Sequence, residues 1–179
     1  MDYGTLMGIA ARNPKAQFLV PLGVEVTLKS WGIQNVKAFD WWDSATVGSS
    51  QFYLVPAYHW SARTLTDRNA SLWGGWVMHH PTFRFFFSGD TGYSSDFKEI
   101  GRLLGPFDLS AIAVGAYEPR WFMKAQHINP DEAAQIHKDT RTRQTLGIHW
   151  GTFELTDEPL DQPIGDVEKA RKTHKLTEN

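Results

Sequence analysis

The sequence contains no cysteine among its 179 residues. This absence excludes disulfide bonds, thiolate metal ligands and a cysteine nucleophile, although it leaves the cellular compartment open. Any metal ion that this chain binds must therefore be held by histidine and carboxylate side chains.

Long apolar runs are also missing. No segment approaches the roughly 18 apolar residues that a membrane-spanning helix needs, and the first residues lack the basic and apolar regions of a signal peptide. We therefore expect a cytoplasmic or peripherally membrane-associated protein. The formal net charge is -2, with acids and bases mixed along the chain, so no basic stripe is present and we expect no nucleic-acid partner.

Aromatic residues are abundant, with 8 Trp and 11 Phe. Several lie in loop-like positions, including Trp60, Trp121 and Trp150. Because burial of a large ring stabilises a fold by about 1.5 to 3 kcal/mol, we expect most of these rings in the core. A few that neighbour polar residues are candidates for lining an apolar substrate groove.

The chain shows no internal repeat, low-complexity tract or linker, so residues 1–179 are expected to form one unit. Hydrophobic periodicity and turn residues predict alternating strands and helices within it. The predicted strands cover residues 17–21, 36–40, 51–57, 72–78, 82–89, 109–115 and 144–149, with a turn at His79, His80 and Pro81. The predicted helices cover residues 24–31, 94–105 and 129–140, the last with Asn129 as its cap.

Polar side chains follow three of these strands. Asp90 comes after Phe85–Phe87, a stretch that reads as a strand buried on both faces, while His59 follows the strand 51–57 and His149 ends the strand 144–149. Imidazole and carboxylate suit zinc, so the three residues form a candidate metal site. In the alternative interpretation, Asp90 or Thr91 only satisfies backbone donors in a strand-to-helix turn.

The remaining histidines have simpler expected environments. His79 and His80 lie in the predicted turn, His137 lies on a predicted helix, and His174 lies in a polar tail. Each is expected to be solvated.

Four segments carry a family resemblance: "HWSARTLTDRNASLWGGW", "RFFFSGDTGY", "IGRLLGPFDLSAIAVGAYEPRWFMKAQHINPDEAAQIH" and "GIHWGTFELTDEP". They resemble the N-acyl-phosphatidylethanolamine-hydrolysing phospholipase D family of the metallo-β-lactamase superfamily. The resemblance implies an α+β fold, an αββα sandwich with two zinc ions at the strand ends. It also implies hydrolysis of a phospholipid phosphodiester by metal-activated water, which releases N-acylethanolamine and phosphatidic acid.

The resemblance assigns roles to individual residues. His59 resembles the histidine that completes one zinc site, Asp90 the carboxylate that bridges both zincs, and His149 the histidine that completes the other. Gln126 and His127 match a pair that borders the substrate, where His127 would orient a phosphate oxygen or assist the leaving group. Arg63, or Lys124, is a candidate partner for the lipid phosphate.

The family's ligand motif, His-x-His-x-Asp-His, is absent from this sequence. "MDYGTL" resembles the segment that directly follows that motif, and "DVEKARKTHKLTEN" resembles a helix that the family follows with one more strand. We therefore expect a partial domain that binds fewer than two zinc ions, lacks measurable turnover alone and forms a homodimer or aggregates through an open sheet edge. The alternative is a non-catalytic remnant that binds lipid or a protein partner.

Overall fold

The computed structural model describes residues 1–176, and the strands within this range form two sheets. The smaller sheet consists of β1 (Phe18–Pro21) and β2 (Val36–Phe39), which are parallel and joined by α2 (Val24–Ser30). A first helix, α1 (Tyr3–Arg12), precedes them and begins at Asp2, whose carboxylate accepts the Thr5 N–H at 2.7 Å.

The larger sheet has six strands. In spatial order they are β3 (Ser44–Val47), β4 (Ser50–Val55), β5 (Gly75–His80), β6 (Phe83–Phe87), β7 (Leu109–Ala113) and β8 (Gln144–Ile148). The helices that follow β6, β7 and β8 are α3 (Asp96–Leu103), α4 (Arg120–Met123), α5 (Pro130–Asp139) and α6 (Gln162–Thr173). None of the helices within residues 1–176 is long and apolar enough to cross a membrane.

The strand directions bring four loops to the same edge of the larger sheet. β4 and β6 are each antiparallel to β5, so they run in the same direction, and β6, β7 and β8 are mutually parallel. The carboxyl ends of β4, β6, β7 and β8 therefore lie at one edge. In open sheets with parallel strands this is the edge at which ligands bind.

The main core lies between the larger sheet and the helices α3 and α5. Phe86 from β6 is fully buried there, together with Phe97 and Ile100 from α3 and Ile136 from α5. The prediction that Phe85–Phe87 is buried on both faces is wrong, because Phe87 remains 38% exposed. Successive side chains of a strand point to opposite faces of the sheet. Phe86 is on the face that the helices cover, and Phe87 is on the other face.

Other predictions about local structure also need correction. β5 continues through His79 and His80, and His80 pairs with Phe83, so the connecting turn consists of the exposed residues Pro81 and Thr82. Pairing with β4 and β6 extends the strand beyond the point at which its apolar pattern stops.

All four histidines expected to be solvated make side-chain hydrogen bonds, His80 to Thr82 in its own turn and the other three to other elements. His79 Nε2 lies 2.8 Å from the Leu104 carbonyl oxygen, and His137 Nδ1 lies 2.8 Å from Thr145 Oγ1. His174 Nε2 lies 2.9 Å from an Asp131 carboxylate oxygen. Packing between elements supplies these partners, which no sequence pattern specifies.

The tryptophans are less buried than their abundance suggests. None of the eight belongs to the fully buried core of the part of the chain that the structure describes, and Trp121 is 87% exposed. The indole N–H groups of Trp41 and Trp73 donate to the carbonyl oxygens of Trp73 and Ala57. Those rings sit where one end contacts polar backbone, as expected for an amphipathic side chain.

The helix expected in "DVEKARKTHKLTEN" is present but shifted, because α6 already begins at Gln162 and ends at Thr173. Residues 177–179 of that prediction lie outside the described range. The helix expected at 129–140 agrees closely with α5. Asn129 and Glu132 form its reciprocal capping box.

Candidate metal centre at the sheet edge

Four functional side chains meet at the carboxyl edge of the larger sheet: His59, Asp90, His127 and His149. His59, Asp90 and His149 lie after β4, β6 and β8, respectively, and His127 lies between α4 and α5 in the segment that follows β7. The ring centroid of His127 lies 5.1 Å from that of His59 and 5.4 Å from that of His149. His149 Nε2 lies 3.5 Å from Asp90 Oδ1. The structure thus brings together the three predicted metal ligands and adds His127, which sequence reasoning placed only at the border of the substrate.

Left-handed backbone follows each of the three parallel strands. Gly89 has φ 64° after β6, Ala116 has φ 62° after β7, and His149 has φ 62° directly after β8. Glycine adopts this conformation readily, whereas for Ala116 and His149 it costs on the order of 1 kcal/mol or more. Such strain is found where the surrounding structure holds a functional side chain in place, and His149 is such a residue.

Thr91 connects the loops of this site. Its hydroxyl oxygen accepts the Tyr58 N–H at 2.9 Å and its carbonyl accepts the Ile128 N–H at 2.8 Å. The sequence left open whether Asp90 or Thr91 accepts hydrogen bonds from backbone donors, and in the structure Thr91 does so. The Asp90 side chain remains 47% exposed and faces His149.

Three ring nitrogens of the cluster are buried without a hydrogen-bond partner: His59 Nε2, His127 Nδ1 and His149 Nδ1. The other nitrogen of His59, Nδ1, lies 2.8 Å from the Trp60 carbonyl oxygen. A proton on Nδ1 would be held by that carbonyl, which leaves the Nε2 lone pair free in the manner of metal-binding histidines. Buried polar atoms are rarely left unpaired in folded proteins, so three in one cluster indicate a missing ligand.

The cluster shifts the proton equilibria of its own members. The contact with His149 lowers the pKa of Asp90, and the same contact raises the pKa of His149, while burial opposes both shifts. Burial, followed by the neighbouring His59, lowers the pKa of His127 to about 4. His127 is therefore neutral at physiological pH, with a lone pair that can accept a hydrogen bond or a proton.

The donor atoms suit a metal ion such as zinc, but they do not complete a site. Within residues 1–176, no group of three or more His, Cys, Asp or Glu side chains is placed so that it could hold one metal ion. Catalytic zinc normally has three protein ligands. The unpartnered nitrogens and the Asp90 carboxylate therefore fit part of a metal ligand set.

The predicted substrate residues lie close to the cluster but are engaged elsewhere. Gln126 Oε1 accepts the Trp60 indole N–H at 2.5 Å, and the Trp60 ring stacks on His59 with centroids 5.7 Å apart. Gln126 thus supports the position of His59 through Trp60. The Arg63 guanidinium lies over the Trp31 ring, 5.0 Å from its centroid, and donates to the Met1 carbonyl.

Two further side chains support the loops, and sequence reasoning missed both. Arg120 donates to the His127 carbonyl at 2.8 Å and pairs with Glu132 at 2.8 Å. Glu158 is buried, and its two oxygens accept the N–H groups of Tyr117 and Glu118 at 3.1 and 3.0 Å. The capping motif that contains Glu132 was a weak sequence signal for the Arg120 pair. No local sequence pattern predicts the contacts of Glu158.

Two cavities adjoin the cluster on different sides. The larger, about 670 Å³, is lined by His59 and Asp90, by Arg63 and by all four residues of β1. The smaller, about 350 Å³, opens beside His149.

Comparison with known proteins gives an independent view of the chain. The sequence profile of the family described as "Beta-lactamase superfamily domain" matches residues 2–150. N-acyl-phosphatidylethanolamine-hydrolyzing phospholipase D 1 of Caenorhabditis elegans is 43% identical over 165 residues, which cover 87% of this chain and 46% of that protein. A Saccharomyces cerevisiae protein of the same name, designated mitochondrial, is 39% identical and covers 84% of this chain and 34% of its own length.

The fold also matches solved structures. A metallo hydrolase from the archaeon Ignicoccus hospitalis superposes with a TM-score of 0.70 at 20% identity, covering 92% of this chain and 66% of that chain. At this identity the match establishes the fold alone. Together with the family match over residues 2–150, it confirms the predicted α+β class and metallo-β-lactamase-like architecture. The chain spans less than half the length of the two phospholipase D relatives.

Proposed function

The chain belongs to the beta-lactamase superfamily, and we propose that it is a metal-dependent hydrolase that cleaves phospholipid phosphodiester bonds. The observation that carries this proposal is the group of buried histidine nitrogens without partners around Asp90. The named activity of the 43% identical Caenorhabditis elegans relative supplies the reaction class.

In this proposal His59, through Nε2, Asp90 and His149 would be the side chains of this chain that hold zinc. We propose zinc because imidazole and carboxylate are among its usual ligands. When bound, such metal ions supply Lewis-acid polarisation of phosphoryl oxygens and activation of water. Asp90 would contribute the negative charge that lets two cations lie close together.

The chain's own side chains would position the substrate. His127 is neutral at physiological pH, so its ring N–H would orient a phosphate oxygen or assist the leaving group. Gln126 would act indirectly, since its contact with Trp60 fixes the ring that stacks on His59. Arg63, at the wall of the larger cavity, would approach a phosphate after leaving Trp31.

We propose N-acylated phosphatidylethanolamine as the substrate, with N-acylethanolamine and phosphatidic acid as products. Exposed apolar side chains on the segments that carry the cluster support a lipid substrate. Leu65 is on the loop that carries His59, and Trp121 and Phe122 are on the short helix α4, which precedes His127; all three are exposed. Exposed aromatic residues suit peripheral contact with a phospholipid surface.

The incomplete ligand set favours a second candidate function, in which the chain binds lipid without hydrolysing it. One preparation distinguishes the two. Zinc content after dialysis would be measured together with release of N-acylethanolamine from vesicles, detected by mass spectrometry. Hydrolysis that depends on added zinc and is lost in Asp90→Asn supports the hydrolase; vesicle binding without hydrolysis at any zinc concentration supports the second candidate.

A matched control separates the cluster from general stability. His80→Ala changes a histidine on β5, in the turn region at the far end of the strand from the cluster, and should leave zinc content unchanged. Equal loss of zinc in Asp90→Asn and His80→Ala would contradict the assignment of Asp90.

A further inference from the structure

Three arginines line a separate cavity at the edge of the larger sheet opposite the cluster. This cavity has a volume of about 380 Å³ and lies where β6, β7 and β8 begin. Its charged lining consists of Arg84, Arg141, Arg143 and Asp108, and we call it the basic cavity. Three guanidinium groups against one carboxylate leave an excess of positive charge there, whereas the whole chain has a formal net charge of -2.

The register of the three parallel strands places Arg84, Asp108 and Arg143 side by side. The Arg84 carbonyl oxygen accepts the Asp108 N–H at 2.9 Å, and the Phe107 carbonyl oxygen accepts the Arg143 N–H at 2.9 Å. Because neighbouring strands are about 4.8 Å apart, the backbones of the two arginines are roughly 10 Å apart. Side chains at matching positions of adjacent strands face the same side of a sheet, so both guanidinium groups can reach one bound molecule.

The turn between α5 and β8 brings the third arginine to the same cavity. Arg141 has φ 55°, a left-handed conformation that costs a residue other than glycine on the order of 1 kcal/mol. Its guanidinium group donates to the Gly101 carbonyl oxygen on α3. The backbone conformation and this hydrogen bond together hold the charge of Arg141 at the wall of the basic cavity.

Most N–H donors of the three guanidinium groups have no protein acceptor within residues 1–176. Each group carries five N–H donors. Arg84 and Arg141 each donate one side-chain hydrogen bond, to backbone carbonyl oxygens in or just after α3. Arg143 lies 4.0 Å from Asp108 Oδ1, which is too far for a hydrogen bond. The basic cavity therefore offers several donors to a bound acceptor.

Among the described residues of the lining, Asp108 is the one carboxylate. Its Oδ2 accepts the backbone N–H of Arg84 at 2.8 Å, so one of its two oxygens is turned to the backbone. A single carboxylate can neutralise at most one of the three cations. Phosphate oxygens would supply the missing acceptors, because guanidinium groups bind them through paired, charge-assisted hydrogen bonds.

We infer that the basic cavity binds a small soluble anion that carries two or more phosphate groups. The separation of Arg84 and Arg143 favours more than one phosphate group, and the volume has room for roughly ten groups of water size, which is enough for inorganic pyrophosphate. Attraction to an anionic lipid surface usually requires a cluster of about four to eight lysines and arginines, more than this cavity has. The inference does not depend on the proposed function, because the basic cavity is at the other end of the strands.

The probe is inorganic pyrophosphate, titrated by calorimetry into the full 179-residue chain without added metal ions, which pyrophosphate would chelate. Arg143→Gln should weaken binding by about tenfold or more, because it removes charge-assisted hydrogen bonds. The Arg143 side chain is 71% exposed, so this variant should fold normally. Arg143→Lys keeps the charge but loses the planar fork, and its affinity should fall between the two.

Arg12→Gln is the control for loss of a positive charge. Arg12 is an exposed residue in the last turn of α1 and does not line the basic cavity. Because charges farther apart than a Debye length are largely screened, the dissociation constant of pyrophosphate should be nearly unchanged in this variant.

Asp108→Asn gives a test of the opposite sign. The amide removes the negative charge from the lining, and its oxygen can still accept the Arg84 N–H. Pyrophosphate should therefore bind several-fold more tightly than to the unchanged chain. If the charges of the basic cavity served only the stability of the fold, this variant would not gain affinity.

Imidazole NMR signals locate the bound anion. His80 lines the basic cavity, so its signals should move during the titration, whereas those of His127 at the opposite sheet edge should stay in place. Absence of pyrophosphate binding, equal weakening in Arg143→Gln and Arg12→Gln, or movement of the His127 signals alone would overturn the inference. Vesicles of phosphatidic acid that bind through Arg143 when pyrophosphate does not would also overturn it, and would assign the cavity to a lipid surface.

Discussion

The hydroxyl oxygen of Thr91 accepts the backbone N–H of Tyr58 across two loops, at 2.9 Å. Thr91 is fully buried, and its carbonyl accepts the Ile128 N–H at 2.8 Å. The loop that carries Asp90 is thereby joined to the residue before His59 and to the residue after His127. The geometry of the cluster thus depends on Thr91, which is not itself a candidate metal ligand.

Thr91→Val should lower the free energy of unfolding by about 1 kcal/mol, because it leaves the partly buried Tyr58 N–H without its acceptor while keeping the side-chain shape. Urea denaturation followed by tryptophan fluorescence measures the change. Thr91→Ser retains the hydroxyl and should cost less than Thr91→Val. The reverse order of the two variants would show that the methyl group, not the hydrogen bond, holds the loops.

Arg120→Met should lower the free energy of unfolding by about 1 to 3 kcal/mol, since it removes the donor to the His127 carbonyl and leaves Glu132 without its cation. Arg102→Met is the matched control. Its partner Glu99 is on the surface of α3, and such pairs contribute about 0.5 kcal/mol.

The same pair of arginine variants should differ in their effect on His127. The imidazole NMR signals of His127 should move in Arg120→Met and stay in place in Arg102→Met. Unchanged signals in both would limit Arg120 to a purely structural role in α5.

Tyr93 should make the protein sensitive to alkaline pH. Burial, followed by donation of its hydroxyl to Asp139 at 2.6 Å, raises the pKa of Tyr93 to about 12. The folded state therefore favours the neutral phenol, and this contribution is complete below about pH 10 and is lost as pH rises from about 10 to about 12. In Tyr93→Phe the free energy of unfolding should decrease less between about pH 10 and about pH 12 than in the unchanged protein. Tyr3→Phe is the control for the loss of a tyrosine hydroxyl.

In a chain that also carries the family's His-x-His-x-Asp-His motif, Asp90→Asn should reduce zinc-dependent hydrolysis by several orders of magnitude, because a neutral amide cannot neutralise two cations. His137→Ala should change only the stability of the protein, since His137 contacts Thr145, which is near the start of β8 and so far from the cluster. Turnover per correctly folded molecule is the quantity to compare. Equal losses at both positions would refute the role assigned to Asp90.

Trp121→Ala should weaken binding to vesicles that contain N-acylated phosphatidylethanolamine, because Trp121 presents an apolar ring that is 87% exposed. Moderate salt should have little effect, since the net charge of -2 gives no general attraction to an anionic surface. Co-sedimentation measures both. Binding that disappears with salt and is unaffected by Trp121→Ala would indicate an electrostatic contact instead.

Local patterns predicted the elements whose signals are local. The capping box at Asn129 and Glu132 marked the start of α5, and the apolar spacing of Phe97 and Ile100 marked α3. β3 was not predicted, since Ser44–Val47 is mostly exposed and is a strand only through pairing with β4. α1 was missed as well, because its two glycines weaken helix propensity and none of its residues is fully buried.

The candidate site was predictable where a polar residue directly follows a strand, as His59, Asp90 and His149 do. His127 lies well beyond the end of β7, so its place in the cluster depends on the path of the intervening loop. Arg120 and Glu132 hold that loop, and their pairing is a tertiary contact. Exposure of Phe87 was equally hidden, because a run of three phenylalanines does not reveal which face is covered.

The turn of Pro81 and Thr82, at the sheet edge opposite the cluster, makes the molecule suitable for oriented attachment. Because the chain has no cysteine, Thr82→Cys would create a single thiol for a maleimide linker. Protein attached to a surface in this way would have the cluster of His59, Asp90, His127 and His149 and both cavities that adjoin it facing the solution. Vesicles that flow across such a surface would first meet the side of the molecule that carries the cluster.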